Sequence, residues 1–252
     1  MVIEYPKNGD MPELFRLWQL AFADPRESID AFFASAFSSE RCRCLRVEDR
    51  IGAVLYWLDV YCGEEKYAYL YGVATHPDFR GRGLCRALMA DTHALLSRQG
   101  YAGSLLVPQQ EGLRKMYASF GYEDIGGVAE FSREAGETAA DLRVIGPGEY
   151  ARLRRQYLPE GGAVQEGENI RYLSTYARYC VGEDFLLAFL VEGEKLLGIE
   201  LLGNADAVPG ILKALGCSRG SFRTPGNTRP FAMGLFFREG AKRPSYFGLA
   251  FD

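Results

Sequence analysis

No Cys-x-x-Cys pair and no Cys/His cluster occurs in this sequence, so a structural zinc site is not expected. The cysteines Cys42, Cys44, Cys62, Cys85, Cys180 and Cys217 are read as free thiols of a reducing compartment. No apolar run approaches the ~18 residues of a membrane span. The opening "MVIEYPKNGDMPELF" has no apolar core of the kind a signal peptide carries, and a cytoplasmic location is expected. Gly-Lys-Ser/Thr and Gly-x-Gly-x-x-Gly are both missing, which argues against a triphosphatase P-loop and a dinucleotide fold. An excess of positive charge is missing too. The net charge of −4 speaks against a nucleic acid backbone or an anionic membrane as the main partner.

What is present is an ordinary soluble composition, 48% hydrophobic and 25% charged, over 252 residues. That length suits one large domain or two small ones. Val2 to Tyr5 reads as a strand. Pro12 opens a helix with Leu14, Leu17 and Leu20 on one face, and Ile29, Phe32, Phe33 and Phe37 mark a second helix. "RCLRVED" and "GAVLYWLDVYC" read as a hairpin turning at Arg50–Ile51, followed by the strand "KYAYLYGVAT". In that strand Tyr67, Tyr69 and Tyr71 share one face, as half-buried sheet packing or as the aromatic wall of a cleft. A helix from about Gly83 to Arg98, the strand "YAGSLLVP", the helix "EGLRKMYASFG" and the strand "EDIGGVAEFS" complete a mixed α/β unit. "REAGETAAD", Arg133 to Asp141, reads as a linker, after which the order starts again: strand, two helices, a hairpin, a helix, and the strands "PFAMGLFF" and "YFGLAFD". The division expected is 1–138 and 139–252, with the second unit a smaller, degenerate copy of the first.

The chemistry concentrates in "HPDFRGRGLCRALM", His76 to Met89. A glycine-rich turn between strand and helix exposes backbone N–H groups, and the helix dipole adds positive potential there. Such a turn suits a pyrophosphate. Gly81 and Gly83 permit close approach, and Arg80, Arg82 and Arg86 add charge. The corresponding turn of the second half, "GNADAVPG", is acidic and interrupted by Pro209, so a single cradle is expected.

"YGVATHPDFRGRGLCRALM" resembles motif A of the GNAT acyl-CoA-dependent N-acyltransferases, Arg/Gln-x-x-Gly-x-Gly/Ala after a strand. It reads Arg80-Gly81-Arg82-Gly83-Leu84-Cys85 here, with Cys85 where the family has glycine or alanine. "MYASFGY" resembles the family's second motif, with Tyr117 as its tyrosine and Gly121–Tyr122 as its close. Gln110 stands where the family often has a cofactor-contacting asparagine. The clear likeness covers about Val2 to Phe131.

The resemblance implies the GNAT fold and acetyl-CoA as co-substrate. It places the pyrophosphate on the backbone of Gly81 to Arg86 and the pantetheine arm along Val73, Ala74 and Thr75, with one strand N–H stabilising the developing oxyanion. Tyr117 becomes the acid that protonates the leaving thiolate, since a phenol of ordinary pKa about 10 is protonated at neutral pH. The reaction expected is transfer of an acetyl group to a primary amine by direct attack in a ternary complex. The acceptor is a small molecule or a peptide, and a homodimer is possible.

The base is left open. Asp59, Glu64, Glu65, Glu111, His76 and His93 each read first as surface or structural groups. In the enhanced-intracellular-survival type of acetyltransferase, which also has tandem units, the terminal carboxylate is the base; Asp252 is the matching position, but this chain lacks that type's third domain. A non-catalytic acyl-CoA-binding sensor or scaffold is the alternative function. An aminoacyl-tRNA-dependent transferase fits the two-unit layout but not the acidic balance.

Overall fold

The computed structural model describes residues 1–251. The first half runs β1 (Val2–Glu4), α1 (Met11–Phe22), α2 (Arg26–Ser35), β2 (Cys42–Val47), β3 (Arg50–Cys62), β4 (Glu65–Thr75), α3 (Leu84–Arg98), β5 (Gly103–Leu106), α4 (Glu111–Ala118) and β6 (Glu123–Glu134). The second runs β7 (Arg143–Ile145), α5 (Pro147–Tyr157), β8 (Val164–Gln165), α6 (Glu168–Leu173), β9 (Arg178–Val181), β10 (Phe185–Glu192), β11 (Lys195–Gly203), α7 (Val208–Ala214), β12 (Arg219–Pro225) and β13 (Arg229–Phe236). This is a mixed α/β architecture. Apart from the added β8 and a missing counterpart of α4, the second half repeats the order of the first.

All strands join one sheet in the order β1-β2-β3-β4-β5-β13-β6-β12-β11-β10-β9-β7, with β8 on β3. Besides β8 on β3, two connections stitch the halves together. β13, from the end of the second half, lies between β5 and β6, while β6 pairs through its first residues with β13 and through its last with β12. The sequence boundary at 138/139 therefore falls between β6 and β7, but the sheet runs on without a break.

β3 is buried on both faces, as a central strand covered on each side must be. Ala53, Leu55 and Trp57 face α3, and Val54, Tyr56, Leu58 and Val60 face the side carrying α1, α2 and α6. On α1 the stripe Leu14, Leu17 and Trp18 is buried, after Pro12 in the first turn. On α3 the stripe is Leu84, Leu88, Met89, Thr92 and Leu96.

Three readings of the sequence are corrected. The β2–β3 turn is Glu48–Asp49, not Arg50–Ile51; Glu48 takes φ 57, the left-handed conformation the tight turn needs. "REAGETAAD" is not a free linker. β6 extends through Glu134, and Ala135, Gly136 and Ala140 donate backbone hydrogen bonds to Ser218, Pro209 and Gly210. Finally, the described residues of "YFGLAFD", Tyr246 to Phe251, do not form a strand. Tyr246 forms an isolated bridge to Gly162, and the buried tail is held by side chains instead. Gln165 Nε2 donates to Leu249 O (2.6 Å), and Leu249 N–H donates to Gln165 Oε1 (3.1 Å). Tyr246 OH donates to Glu200, whose carboxylate also takes Arg154 (2.7 Å) and Tyr150 (2.7 Å) in a fully buried set. Removing either charge would leave the other buried without its counter-charge, a loss of about 3–5 kcal/mol.

His93 sits beneath Phe237 with its Nε2 2.9 Å from Tyr122 OH. Burial lowers its pKa to about 4, so it is neutral in the fold at neutral pH. The unfolded chain, with an ordinary value near 6.5, binds the proton first as pH falls. Stability contributed here is complete above about pH 6.5 and drains away by about 3 kcal/mol toward pH 4. Chemical denaturation at pH 7 and pH 4.5 checks this: the loss on acidification is expected to shrink in His93→Gln.

Candidate active site

β4 and β5 run parallel and are paired only from Tyr67↔Gly103 to Tyr69↔Leu105. Past that point β5 ends at Leu106, while β4 continues to Thr75 alongside β3. The strands splay. Val73, Ala74 and Thr75 thus have a neighbour on one side only, Ala74 pairing with Val54 and Thr75 with Ala53. A bulge interrupts the ladder just before them, where Gly72 takes φ 58. A Cβ on Gly72 would come 2.8 Å from the Tyr56 ring, so glycine alone lets the strand bend over it.

The turn after β4 is shaped by its own side chains. His76 Nδ1 accepts from Asp78 N–H (3.3 Å), closing a short 3₁₀ turn over Pro77–Phe79. Gly81 and Gly83 both take φ 75, with open space where a Cβ would stand. Gly83 caps α3, and the first intrahelical bond is Ala87 N–H to Gly83 O (3.0 Å). The N–H groups of Leu84, Cys85 and Arg86 thus lie in the first turn, where a helix has no internal acceptor for them. Leu84 itself is buried and anchors the turn on the core. Arg80 Nε reaches Thr75 O (3.3 Å), and Arg82 lies over the Phe79 ring (5.3 Å). Arg86 covers Phe120 (4.2 Å) and donates to Ser119 O and Oγ, tying α3 to the end of α4.

Tyr117, on α4, is 7% exposed and packs on Tyr122 (ring centroids 5.8 Å apart). Its hydroxyl has no hydrogen-bond partner among the described residues. Burial, with Cys85 close by, pushes the phenol above its ordinary value, so it stays protonated through the neutral range. The Cys85 thiol is likewise pushed up by burial, to about 11, and lies 3.9 Å from Met89 Sδ. It is a neutral, half-buried group. Gln110 is exposed at the N-cap of α4.

Most of the groups considered as bases are engaged elsewhere. Asp59 pairs across from Ala68, far along the strands from Thr75, and binds Tyr101 OH (2.6 Å), Lys66 (2.9 Å) and Arg41 (3.6 Å). Glu65 takes Tyr67 OH (2.7 Å) and Arg238, and Glu64 lies in the exposed β3–β4 turn. Glu111 is exposed beside Arg114. His76 Nε2 is 3.2 Å from Arg50. Asp252 lies outside the described residues.

The tyrosine stripe divides. Tyr67 and Tyr69 are buried, Tyr69 under Phe247 (4.8 Å). Tyr71, half-buried beside the bulge, donates to Phe251 O (3.0 Å) and lies 3.3 Å from Tyr172 OH. Tyr172 and Phe251 were not singled out from the sequence, since each meets Tyr71 only through the docking of the second half. The aromatic density of "ENIRYLSTYARY" was the one available signal.

A parallel pair thus splays opposite a left-handed glycine turn, with a phenol on the helix that follows β5. Residues 2–125 match the family model of the acetyltransferase (GNAT) domain. The first half of the chain is therefore a GNAT acetyltransferase domain. No curated protein matches the chain. Among solved structures, a GCN5-related N-acetyltransferase from Anabaena variabilis is similar at TM-score 0.77 and 13% identity, over 94% of this chain and 73% of that one. One from Kribbella flavida is similar at 0.69 and 16%, over 93% and 70%. Eis1 from Mycobacterium abscessus is similar at 0.66 and 12%, over 91% and 66%. At such identities the likeness is one of fold, and it spans both halves. No helix among the described residues is long and apolar enough to cross a membrane.

Proposed function

We propose that the chain is an acetyl-CoA-dependent N-acetyltransferase acting on a primary amine by direct attack in a ternary complex. The observation that carries this reading is the open left-handed turn at Gly81 and Gly83, set beside a splay with a one-sided strand. These residues fit the co-substrate. The backbone of Gly81 to Arg86 holds the pyrophosphate, with Arg80 and Arg82 supplying charge; Val73, Ala74 and Thr75 pair with the pantetheine arm, and Gln110 adds a polar contact. Acetyl-CoA supplies an activated acyl group. An N–H of β4 at the bulge stabilises charge developing on the carbonyl oxygen, an effect of about 10²–10³ in rate for one such donor. Tyr117 gives its proton to the departing sulfur.

In this reading residues 1–138 hold the cofactor site, and residues 139–252 wall the acceptor side. The second half's turn argues against a second cofactor. Asn204 Oδ1 accepts from Asp206 N–H (2.9 Å), placing an acidic residue there, and Pro209 in the first turn of α7 offers no N–H. The free cysteines support a reducing, cytoplasmic setting. One observation favours the second reading, a non-catalytic acyl-CoA-binding module: Asp59, Glu65, Glu111 and His76 are held by other partners.

Calorimetry with acetyl-CoA, followed by turnover on a panel of amines, is the test. Saturable binding with turnover is expected. Binding without turnover on any amine selects the sensor, and no binding overturns both.

A further inference from the structure

β11 and β12 repeat the splay of β4 and β5. They pair in parallel from Lys195↔Arg219 to Gly198↔Phe222, then part, β11 continuing beside β10 and β12 beside β6. Here the opening holds a cavity of about 430 Å³, within the range of small-molecule sites. Leu197, 47% exposed, Ile199 and Leu190 form an aliphatic wall, and the Tyr176 ring stands at the rim. The Phe131 and Phe222 rings stack on the opposite face of the sheet, against α7.

The chemistry of the lining restricts the occupant. Without a phosphate cradle on α7, the cavity does not suit a second CoA. Glu130 is the only carboxylate lining it among the described residues, and Arg223 (3.4 Å) and Arg229 already neutralise it. A polycation would leave several charges there without counter-ions. The aliphatic wall and the Tyr176 ring at the rim instead suit an apolar body.

The cavity lies near the acetyl site on the same face of the sheet. Ala250 lines it, and the next residue, Phe251, packs on Tyr71 (ring centroids 5.7 Å apart). At the rim, Tyr176 packs on Tyr172 (5.8 Å), which in turn meets Tyr71 (5.9 Å). Tyr71 directly precedes the Gly72 bulge.

We propose that this cavity binds the body of the acceptor, an aryl-alkyl primary amine with a single positive charge, whose amine reaches the β4 splay along the Tyr172–Tyr71 wall. This rests on the acetyltransferase reading. The splay that holds the cofactor in one half thus has a counterpart that holds the acceptor in the other.

The test uses the full chain at saturating acetyl-CoA, with phenethylamine, tryptamine, spermidine and kanamycin as acceptors. The aryl-alkyl amines are expected to have the higher kcat/KM. Leu197→Arg, at an exposed position, is expected to raise their KM at least about tenfold while the Kd for acetyl-CoA stays within about twofold. Ser221→Trp, also exposed at the cavity, serves as the second variant, and near-ultraviolet circular dichroism checks that each is folded. Preference for the polycations, or an unmoved KM in both variants, overturns the proposal and leaves the acetyltransferase reading standing. If the wild type binds no acetyl-CoA, that reading fails alone. The cavity is then judged by direct calorimetric titration of tryptamine, which wild type must bind and Leu197→Arg must lose; no binding by wild type overturns it.

Discussion

Tyr117→Phe is expected to lower kcat by about 10²-fold or more, the usual scale for losing a positioned acid, while the Kd for acetyl-CoA changes less than about twofold. In the proposed reaction the ring of Tyr117 packs and its hydroxyl does the chemistry. The ring sits among Phe120 and Tyr122 and is 7% exposed. The hydroxyl makes no hydrogen bond among the described residues, so its removal leaves no buried partner stranded and costs little stability. Because burial raises the phenol's pKa, the group stays protonated in the folded protein beyond its ordinary value near 10. The wild-type kcat should therefore show no alkaline loss traceable to Tyr117 below about pH 10. Stopped assays across pH, with calorimetry for the cofactor, provide the check. An unchanged kcat in the variant, or an equal loss of cofactor affinity, removes Tyr117 from the role of acid.

Truncation after residue 138 is expected to abolish folding, not merely acceptor specificity. β13 is hydrogen-bonded to β5 from Gly103 to Leu106 on one side and to β6 on the other. Gly103 is held so close to it that a Cβ would stand 2.5 Å from Leu235 O. Without β13, two strand edges open in the middle of the sheet, beside the cofactor splay. The lost tail also uncovers Tyr69, and the lost strand uncovers Leu105 and Ile125, all buried in the whole chain. Each such side chain contributes about 1.5–3 kcal/mol when buried. Three or four of them match the ~5–15 kcal/mol that hold a typical domain together. Far-ultraviolet circular dichroism and size exclusion of residues 1–138 decide it. A soluble, folded fragment that binds acetyl-CoA like the full chain would show that β13 and the tail are dispensable. Co-expression with residues 139–252 is expected to restore a folded complex.

The contrast between these two predictions follows what could be read in advance. Tyr117 was legible because "MYASFGY" is short and follows the glycine turn at a fixed distance. Gly81 and Gly83 were legible for the same reason: the need for φ near 75 is local, and only glycine meets it without strain. The repeated element order was also visible, since helix and strand periods are local. β13 was recognised as a strand, "PFAMGLFF", but its place between β5 and β6 was not, because nothing in its alternation names its neighbours. Asp59 read from the sequence as a strand carboxylate, first a surface charge and only second a base. Only the pairing register places it at the far end of β3, with Lys66 and Arg41.

By itself, then, the sequence determined the strand–turn–helix with its two left-handed glycines, the want of a like turn in the second half, and the tyrosine that follows, because each depends on residues adjacent in the chain. The tertiary structure decided how the halves share one sheet, why Tyr69 is covered while Tyr71 faces Tyr172 and Phe251, and where the second splay opens beside Phe222. Those depend on contacts between residues distant in the chain, such as Phe131 with Phe222 and Tyr71 with Phe251. Their free energy comes from burying surfaces together, and no local pattern records which surface meets which.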